Sequence, residues 1–335
     1  MEFLSFLDSF VAMNWFTALF ILIIGMLLLW FGSELVVREI QPIARYFKVK
    51  ELVITILGVS ILSSLAELAV SSFAALQGKS DISIGNIVGA NFLTLTFVTA
   101  VAALISPLRI CTEIKEREST WMLLSSAVIL VLAADGVLSR VDGALLMLLY
   151  VPYLFVVIKD AVNKSGRGRQ ATAIDKKSAR RTEKILPHFV LGILAILGII
   201  IGAELALRAG ENISERFGIT QLVLGVLILA FLTSLPELGV AIAAVSKKKA
   251  DITLGEIYAS NIFTALFILG FCCLIVPINV SDDVLRFDIP MLILSGVIVQ
   301  IFITTGSKLV RLEALLILML YIYFVLGHFI RVPNW

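Results

Sequence analysis

Charge is scarce in this chain. Of its 335 residues 16% are charged, 27 basic and 25 acidic, while 59% are hydrophobic; soluble domains run nearer ~25% charged and ~45–50% apolar. That shortage excludes a soluble globular protein. Cysteine is scarcer still, and Cys111, Cys272 and Cys273 form neither a disulfide framework nor a metal-binding spacing. A net charge of +2, with the basic residues sorted by loop and not gathered on a face, leaves no nucleic-acid footprint. The opening residues MEFLSFLDSF hold Glu2 and Asp8 but no Lys or Arg, so they lack the basic region of a signal peptide and the first apolar run is expected to be retained. Alternation of polar and apolar residues is also missing from the apolar runs, which rules out strands of an outer-membrane barrel.

What is present is a series of apolar runs bounded by charge. A helix crosses a bilayer with ~20 apolar residues, and ten spans are expected, near 14–32, 51–76, 82–105, 119–135, 141–158, 188–207, 221–246, 252–276, 287–305 and 310–330. The fold class is therefore an all-α polytopic membrane protein. Alternate loops sort the basic residues 21 to 6, which places the richer side in the cytoplasm and both termini outside. The stretch 159–187 carries nine of them and is expected to be a cytoplasmic linker that touches anionic lipid headgroups at most.

Set against itself at an offset of 170 residues, the chain matches without a gap. Gly32 and Glu34 fall on Gly202 and Glu204, Ser64 on Ser234, and Glu67 on Glu237. Further on, Lys79, Asp81 and Gly85 fall on Lys249, Asp251 and Gly255, and Asn91, Thr94 and Pro107 on Asn261, Thr264 and Pro277. Polar, Gly and Pro matches at one constant offset mark an internal repeat. Residues 1–158 and 188–335 then form two five-helix repeats. An odd span count inverts the second repeat relative to the first, the architecture of secondary transporters.

Glu67 and Glu237 lie near the middle of the second span of each half. A charge at that depth costs at least ~2.5–3.5 kcal/mol and usually faces an ion or proton path. Ser63 and Ser64, and Thr233 and Ser234, precede the two carboxylates by three and four residues, one helical turn. Pro236 removes an amide donor in the second half; the first half has Ala66 there, so any break must come from its Ser-rich turn and Gly58. The third spans read GNIVGANFLT (85–94) and GEIYASNIFT (255–264). Their small residues Gly85, Gly89, Ala90 and Ser260 fit close helix approach. Thr94 and Thr264 fit two readings equally, a cation ligand or a hydroxyl bonded back to the i−4 carbonyl. Carboxylates and hydroxyls without Cys or His suit Ca²⁺ or Na⁺ and disfavour zinc or copper. The histidines His188 and His328 fall at span ends and are expected at the membrane interface.

These motifs resemble the Ca²⁺/cation antiporter family, the sodium/calcium exchangers, in their ten-helix prokaryotic form. TSLPE at 233–237 and SNIFT at 260–264 carry the likeness in the second repeat; SSLAE at 63–67 and GNIVGANFLT carry it in the first. The resemblance implies an antiporter of the inner membrane that exchanges Ca²⁺ for Na⁺ by alternating access, with no enzymatic activity, no resident cofactor and no obligatory protein partner. Its partners are the transported cations and the lipid bilayer. It also implies Glu67 and Glu237 as charged ligands, and Ser63, Ser64, Thr233, Ser234 and Ser260 as hydroxyl or carbonyl ligands. The family's central Asn/Asp pair lands on Thr94 and Thr264, and Ala90 stands where the family has serine. Glu256 replaces the family's Asn and shares a helical face with Ser260 and Thr264; it reads either as a cation-concentrating group or as a helix-start carboxylate. Two alternatives stay open: H⁺ as the coupling ion, and a cation channel.

Overall fold

The computed structural model describes residues 14–46, 63–110, 112, 114–167, 185–246, 250–306 and 308–331. Among them the chain is helical throughout, apart from four two-residue strands. In chain order the helices are α1 (Trp15–Tyr46), α2 (Leu65–Leu76), α3 (Ser80–Ile105), α4 (Ser119–Leu132), α5 (Arg140–Arg167), α6 (Ile185–Phe217), α7 (Gln221–Thr233), α8 (Leu235–Ser246), α9 (Ala250–Ile262, continuing to Ile275), α10 (Ile289–Thr305) and α11 (Arg311–Arg331). They form because apolar residues run on without Gly/Pro clusters, and because lipid requires every backbone group to be bonded within its own segment.

Seven helices are long and apolar enough to cross a membrane, or eight when α7 and α8, bent by 41°, count as one. The protein is thus an all-helical membrane protein, and the expected ten spans are not all recovered. Two fall short for identifiable reasons. Residues 51–62 of the span expected at 51–76 lie outside the described residues, which leaves the 12-residue α2. The span expected at 119–135 contains only the 14 residues of α4, roughly 21 Å of helix against a ~30 Å hydrocarbon core, and the turn before it is charged: Lys115, Glu116, Arg117 and Glu118. Within the expected linker 159–187, α5 continues to Arg167 and α6 starts at Ile185.

Burial separates the helices into inner and outer sets. The apolar stretches of α3 and α9 are 83% and 78% buried within the protein, against 33% for α1 and α6 and 22% for α11. Small residues allow the tight approaches expected of them. A methyl group on Gly89 would stand 2.3 Å from the Val226 carbonyl oxygen of α7, and one on Gly202 would stand 2.7 Å from the Gly25 carbonyl oxygen of α1. Packing of this kind, not hydrophobic exclusion, holds helices together in lipid.

The elements recur at the interval read from the sequence. Helix α2 is repeated by α8, and the π-helical turn Ile114–Glu118 by Val284–Asp288, each 170 residues on. Strand β1 (Leu108–Arg109) pairs antiparallel with β4 (Lys308–Leu309), and β2 (Val137–Leu138) with β3 (Ile278–Asn279). Each strand therefore bonds to the other half of the chain. Lys115 donates to the Gly306 carbonyl and Arg311 to that of Leu104, fastening the β1–β4 end.

Candidate ion-binding site

Both carboxylates sit just past a helix break. The chain leaves α-helical geometry at Ser64 (φ −90°, ψ 16°) and at Ser234 (φ −87°, ψ 7°), and Glu67 and Glu237 follow in the first turns of α2 and α8. Proline is not what makes the break, since Ala66 occupies the equivalent place in the first half. Gly58 lies outside the described residues. At the second break α8 is bent 41° from α7, and Glu67 and Glu237, 2% and 5% exposed, approach closely enough to repel one another.

The break also changes which hydroxyl serves which carboxylate. Turn spacing alone pairs each Ser or Thr with the Glu of its own half. In the structure Ser234 Oγ donates to Glu67 Oε1 at 3.3 Å, Thr233 lies beside Glu67, and Ser63 lies beside Glu237. The pairs are crossed, because a helix that breaks between the hydroxyl and the carboxylate no longer keeps them on one face. Ser64 and Ser260 are joined across the halves as well, Oγ to Oγ at 2.7 Å.

Thr94 and Thr264 are both buried. The Thr94 hydroxyl bonds to the Ala90 carbonyl at 2.8 Å and to Asn261 Oδ1 at 2.6 Å. It is engaged with the helix and with Asn261, within a π-helical turn, Thr94–Val98, that recurs at Phe263–Ile268 around Thr264. Such turns are rare and cluster at functional sites.

Asn91 and Asn261 form a brace that the sequence reading did not assign. Asn91 Nδ2 donates to the Asn261 carbonyl at 3.2 Å, and Asn261 Nδ2 to the Asn91 carbonyl at 3.1 Å. The bonds are reciprocal between residues 170 apart, so they sit where the two halves face each other. The available signal was an Asn in each third span, matched at the repeat interval. Asn86 was also passed over; it donates to Ser71 Oγ at 2.9 Å and accepts from Thr233 at 3.3 Å.

Two further carboxylates are as buried as the central pair, and their surroundings differ. Glu118, 6% exposed, accepts from Arg117 Nε at 2.9 Å and from the Tyr153 hydroxyl at 2.7 Å; Arg117 also binds Asp160. Asp288, fully buried, lies 3.0 Å from His328 Nε2. His328 is itself only 4% exposed: at the end of its helix it is buried against Asp288, in the π-helical turn Val284–Asp288 that leads into α10. Glu118 and Asp288 thus have basic partners within the protein. Glu67 and Glu237 have none among the described residues, and Glu67 Oε2 and both Glu237 oxygens lack a hydrogen bond of normal geometry there. Buried carboxyl groups without a basic partner are either protonated or matched by a cation from outside.

No group of three or more His, Cys, Asp or Glu with metal-holding geometry occurs among the described residues. The donors here are two carboxylates and hydroxyls, a hard oxygen set. A cavity of about 150 Å³ between α1 and the α7–α8 break is lined by Met26, Trp30, Thr233 and Pro236 among others.

The sodium/calcium exchanger protein family matches residues 17–159 and 187–330. Sodium/calcium exchanger MaX1 of Methanosarcina acetivorans is 30% identical over 91% of this chain and 96% of its own length. Inner membrane protein YrbG of Escherichia coli is 30% identical over 83% of this chain and 86% of its own. A Ca(2+)/H(+) antiporter of Aphanothece halophytica is 30% identical over a shorter region, 28% of this chain and 26% of that protein. Among solved structures, the sodium-calcium exchanger NCX_Mj soaked with Na⁺ and Sr²⁺ aligns with a TM-score of 0.65 at 26% identity, covering 94% of this chain and 99% of that one. The exchanger and antiporter relatives are transporters and not enzymes, and they fit a multi-pass membrane protein whose unpartnered carboxylates meet between two halves of the chain. This chain belongs to the sodium/calcium exchanger protein family.

Proposed function

We propose that the protein is a secondary active antiporter that exchanges Ca²⁺ for Na⁺ by alternating access. The observation that carries this is the pair Glu67 and Glu237, buried, close together and without a basic partner among the described residues. Two ionised carboxylates neutralise one Ca²⁺, and the hydroxyls of Ser63, Ser64, Thr233, Ser234 and Ser260 supply further oxygens at the same place. Thr94 and Thr264 complete the proposed ligand set. Na⁺ competes for the same oxygens, and the empty site holds two repelling charges, which disfavours an unloaded transition.

The frame we propose for this chemistry is ten spans in two inverted five-helix repeats, 1–158 and 188–335, with 159–187 in the cytoplasm and both termini outside. Its support is the recurrence of elements at 170 residues, the reciprocal Asn91–Asn261 bonds, and the strand pairs. Strand β1 joins β4 and β2 joins β3, and in each case the two loops are ones that the basic residues assign to the same side.

H⁺ as counter-ion has one specific observation in its favour. Thr94 stands where an amide or carboxylate ligand is expected, and its hydroxyl is already bonded to Ala90 and Asn261. That leaves fewer oxygens for a monovalent metal ion, and the two Glu can carry protons instead.

Reconstituted vesicles separate the readings. Ca²⁺ uptake that requires an imposed Na⁺ gradient is the expected result. Uptake that follows a pH gradient in Na⁺-free buffer overturns Na⁺ coupling in favour of H⁺. Uptake that needs neither gradient points to a channel and overturns both.

A further inference from the structure

The repeat makes Glu256 anomalous. Its counterpart in the first half is Asn86, whose amide is satisfied by Ser71 and Thr233. The counterpart of Thr253 is Ser83, which donates to the Ser71 carbonyl at 2.9 Å. In the second half Ala241 stands in place of Ser71. There the Thr253 hydroxyl, in a residue 1% exposed, and Glu256 Oε1 are both buried without a hydrogen-bond partner among the described residues. The first half has closed this position with hydrogen bonds, and the second has left oxygens open.

Those oxygens have a common direction. Thr253, Glu256 and Ser260 lie at i, i+3 and i+7 on α9, one helical face, and Ser260 reaches Ser64 at the central site. Glu256 is one turn, about 6 Å, from Ser260 toward the end of α9 that adjoins Ser246 and the three lysines after it. It is close enough to Glu237 to repel it, and no basic side chain among the described residues pairs with it. A helix-start role does not account for it. Glu256 is the seventh residue of the helix from Ala250, beyond the first turn where a helix terminus favours a carboxylate. Nor do Glu67, Glu237 and Glu256 make one compact three-carboxylate cluster.

Resting on the cation-exchange reading above, we infer that Thr253 and Glu256, together with the shared carboxylate of Glu237, form a second cation subsite beside the Glu67–Glu237 pair, toward the Ala250 end of α9. An ion held there is one helical turn short of the central oxygens, and Glu237 passes it between the two positions. The subsite takes hard cations such as Ca²⁺, because it offers carboxylate and hydroxyl oxygens only. Its absence from the first half makes the path asymmetric across the two repeats.

Equilibrium ⁴⁵Ca²⁺ binding to the full chain, purified in detergent and held in Na⁺-free buffer, tests this. Wild-type protein is expected to bind in two components, a tighter and a weaker. Glu256→Gln and Thr253→Val are each expected to lose the weaker component and keep the tighter, while Glu237→Gln loses both. Glu256→Asn, which places the first-half residue at this position, serves if the glutamine variant does not fold. A single component in the wild type, or two components in Glu256→Gln or Glu256→Asn, overturns the subsite. Single-component binding with intact gradient-driven Ca²⁺ transport overturns the subsite alone, whereas no Ca²⁺ binding and no transport by the wild type overturns the cation-exchange reading with it.

Discussion

Glu237→Gln separates a functional carboxylate from a structural one. The substitution keeps the side-chain volume and one oxygen while removing a unit of charge. At a Ca²⁺–oxygen distance of ~2.4 Å that charge attracts a cation by roughly 7 kcal/mol per unit of cation charge at an effective dielectric constant of ~20. Dehydration of the ion and of the carboxylate offsets much of this. Removing one member of a buried charge pair typically leaves a net loss of about 2–5 kcal/mol, which is roughly 30- to 5000-fold in affinity. The fold is affected differently. Neither Glu237 oxygen has a hydrogen bond of normal geometry to lose among the described residues, and the repulsion from Glu67 and Glu256 disappears. The variant should therefore express normally, melt at the same temperature or higher in Ca²⁺-free detergent, and show no gradient-driven Ca²⁺ uptake in vesicles. Normal uptake would refute the assignment of Glu237 as a ligand, and a melting temperature several degrees lower would show that the carboxylate holds the fold.

Three other perturbations probe the frame around the site. Gly89→Ala puts a methyl group 2.3 Å from a backbone oxygen of α7 and is expected to destabilise by about 1–3 kcal/mol; Gly85→Ala, whose nearest neighbour is a side-chain atom at 3.1 Å, should cost less in the same thermal melt. Asn91→Ala removes one arm of the reciprocal brace and strands a buried carbonyl, a loss of about 1–3 kcal/mol, and adding Asn261→Ala should cost less than the sum of the two, as a double-mutant cycle reads directly. His328→Ala leaves Asp288 without its imidazole neighbour in a fully buried position, so the melting temperature should fall, whereas His328→Gln, which can still donate a hydrogen bond, should recover part of the loss.

How far the site was legible depends on the kind of contact. The candidacy of Glu67 and Glu237, of the hydroxyls before them and of the small residues of the third spans follows from hydropathy and from the 170-residue repeat, and the structure brings Ser63, Thr233 and Ser234 to the two carboxylates and Ser64 to Ser260. The crossed pairing of Ser63 with Glu237 and of Thr233 and Ser234 with Glu67 does not follow, because turn spacing assumes an unbroken helix and the helix breaks at Ser64 and Ser234. For a related reason, the burial of His328 does not follow. Its position at a span end is a property of the chain, while the carboxylate that draws it inward is on another helix. Likewise, nothing in the order of residues distinguishes Glu118, which Arg117 and Tyr153 satisfy, from a carboxylate waiting for an ion.

Composition and repetition along the chain are enough to establish a helical membrane protein, and they single out a 170-residue interval and the two carboxylates on which the proposed transport site centres, because these are consequences of length, apolarity and interval. Only the folded arrangement decides which oxygens meet. The Asn91–Asn261 brace, the Ser64–Ser260 contact and the strand pairs all depend on how one half lies against the other, and residues 140 to 201 positions apart become neighbours only when the two halves pack.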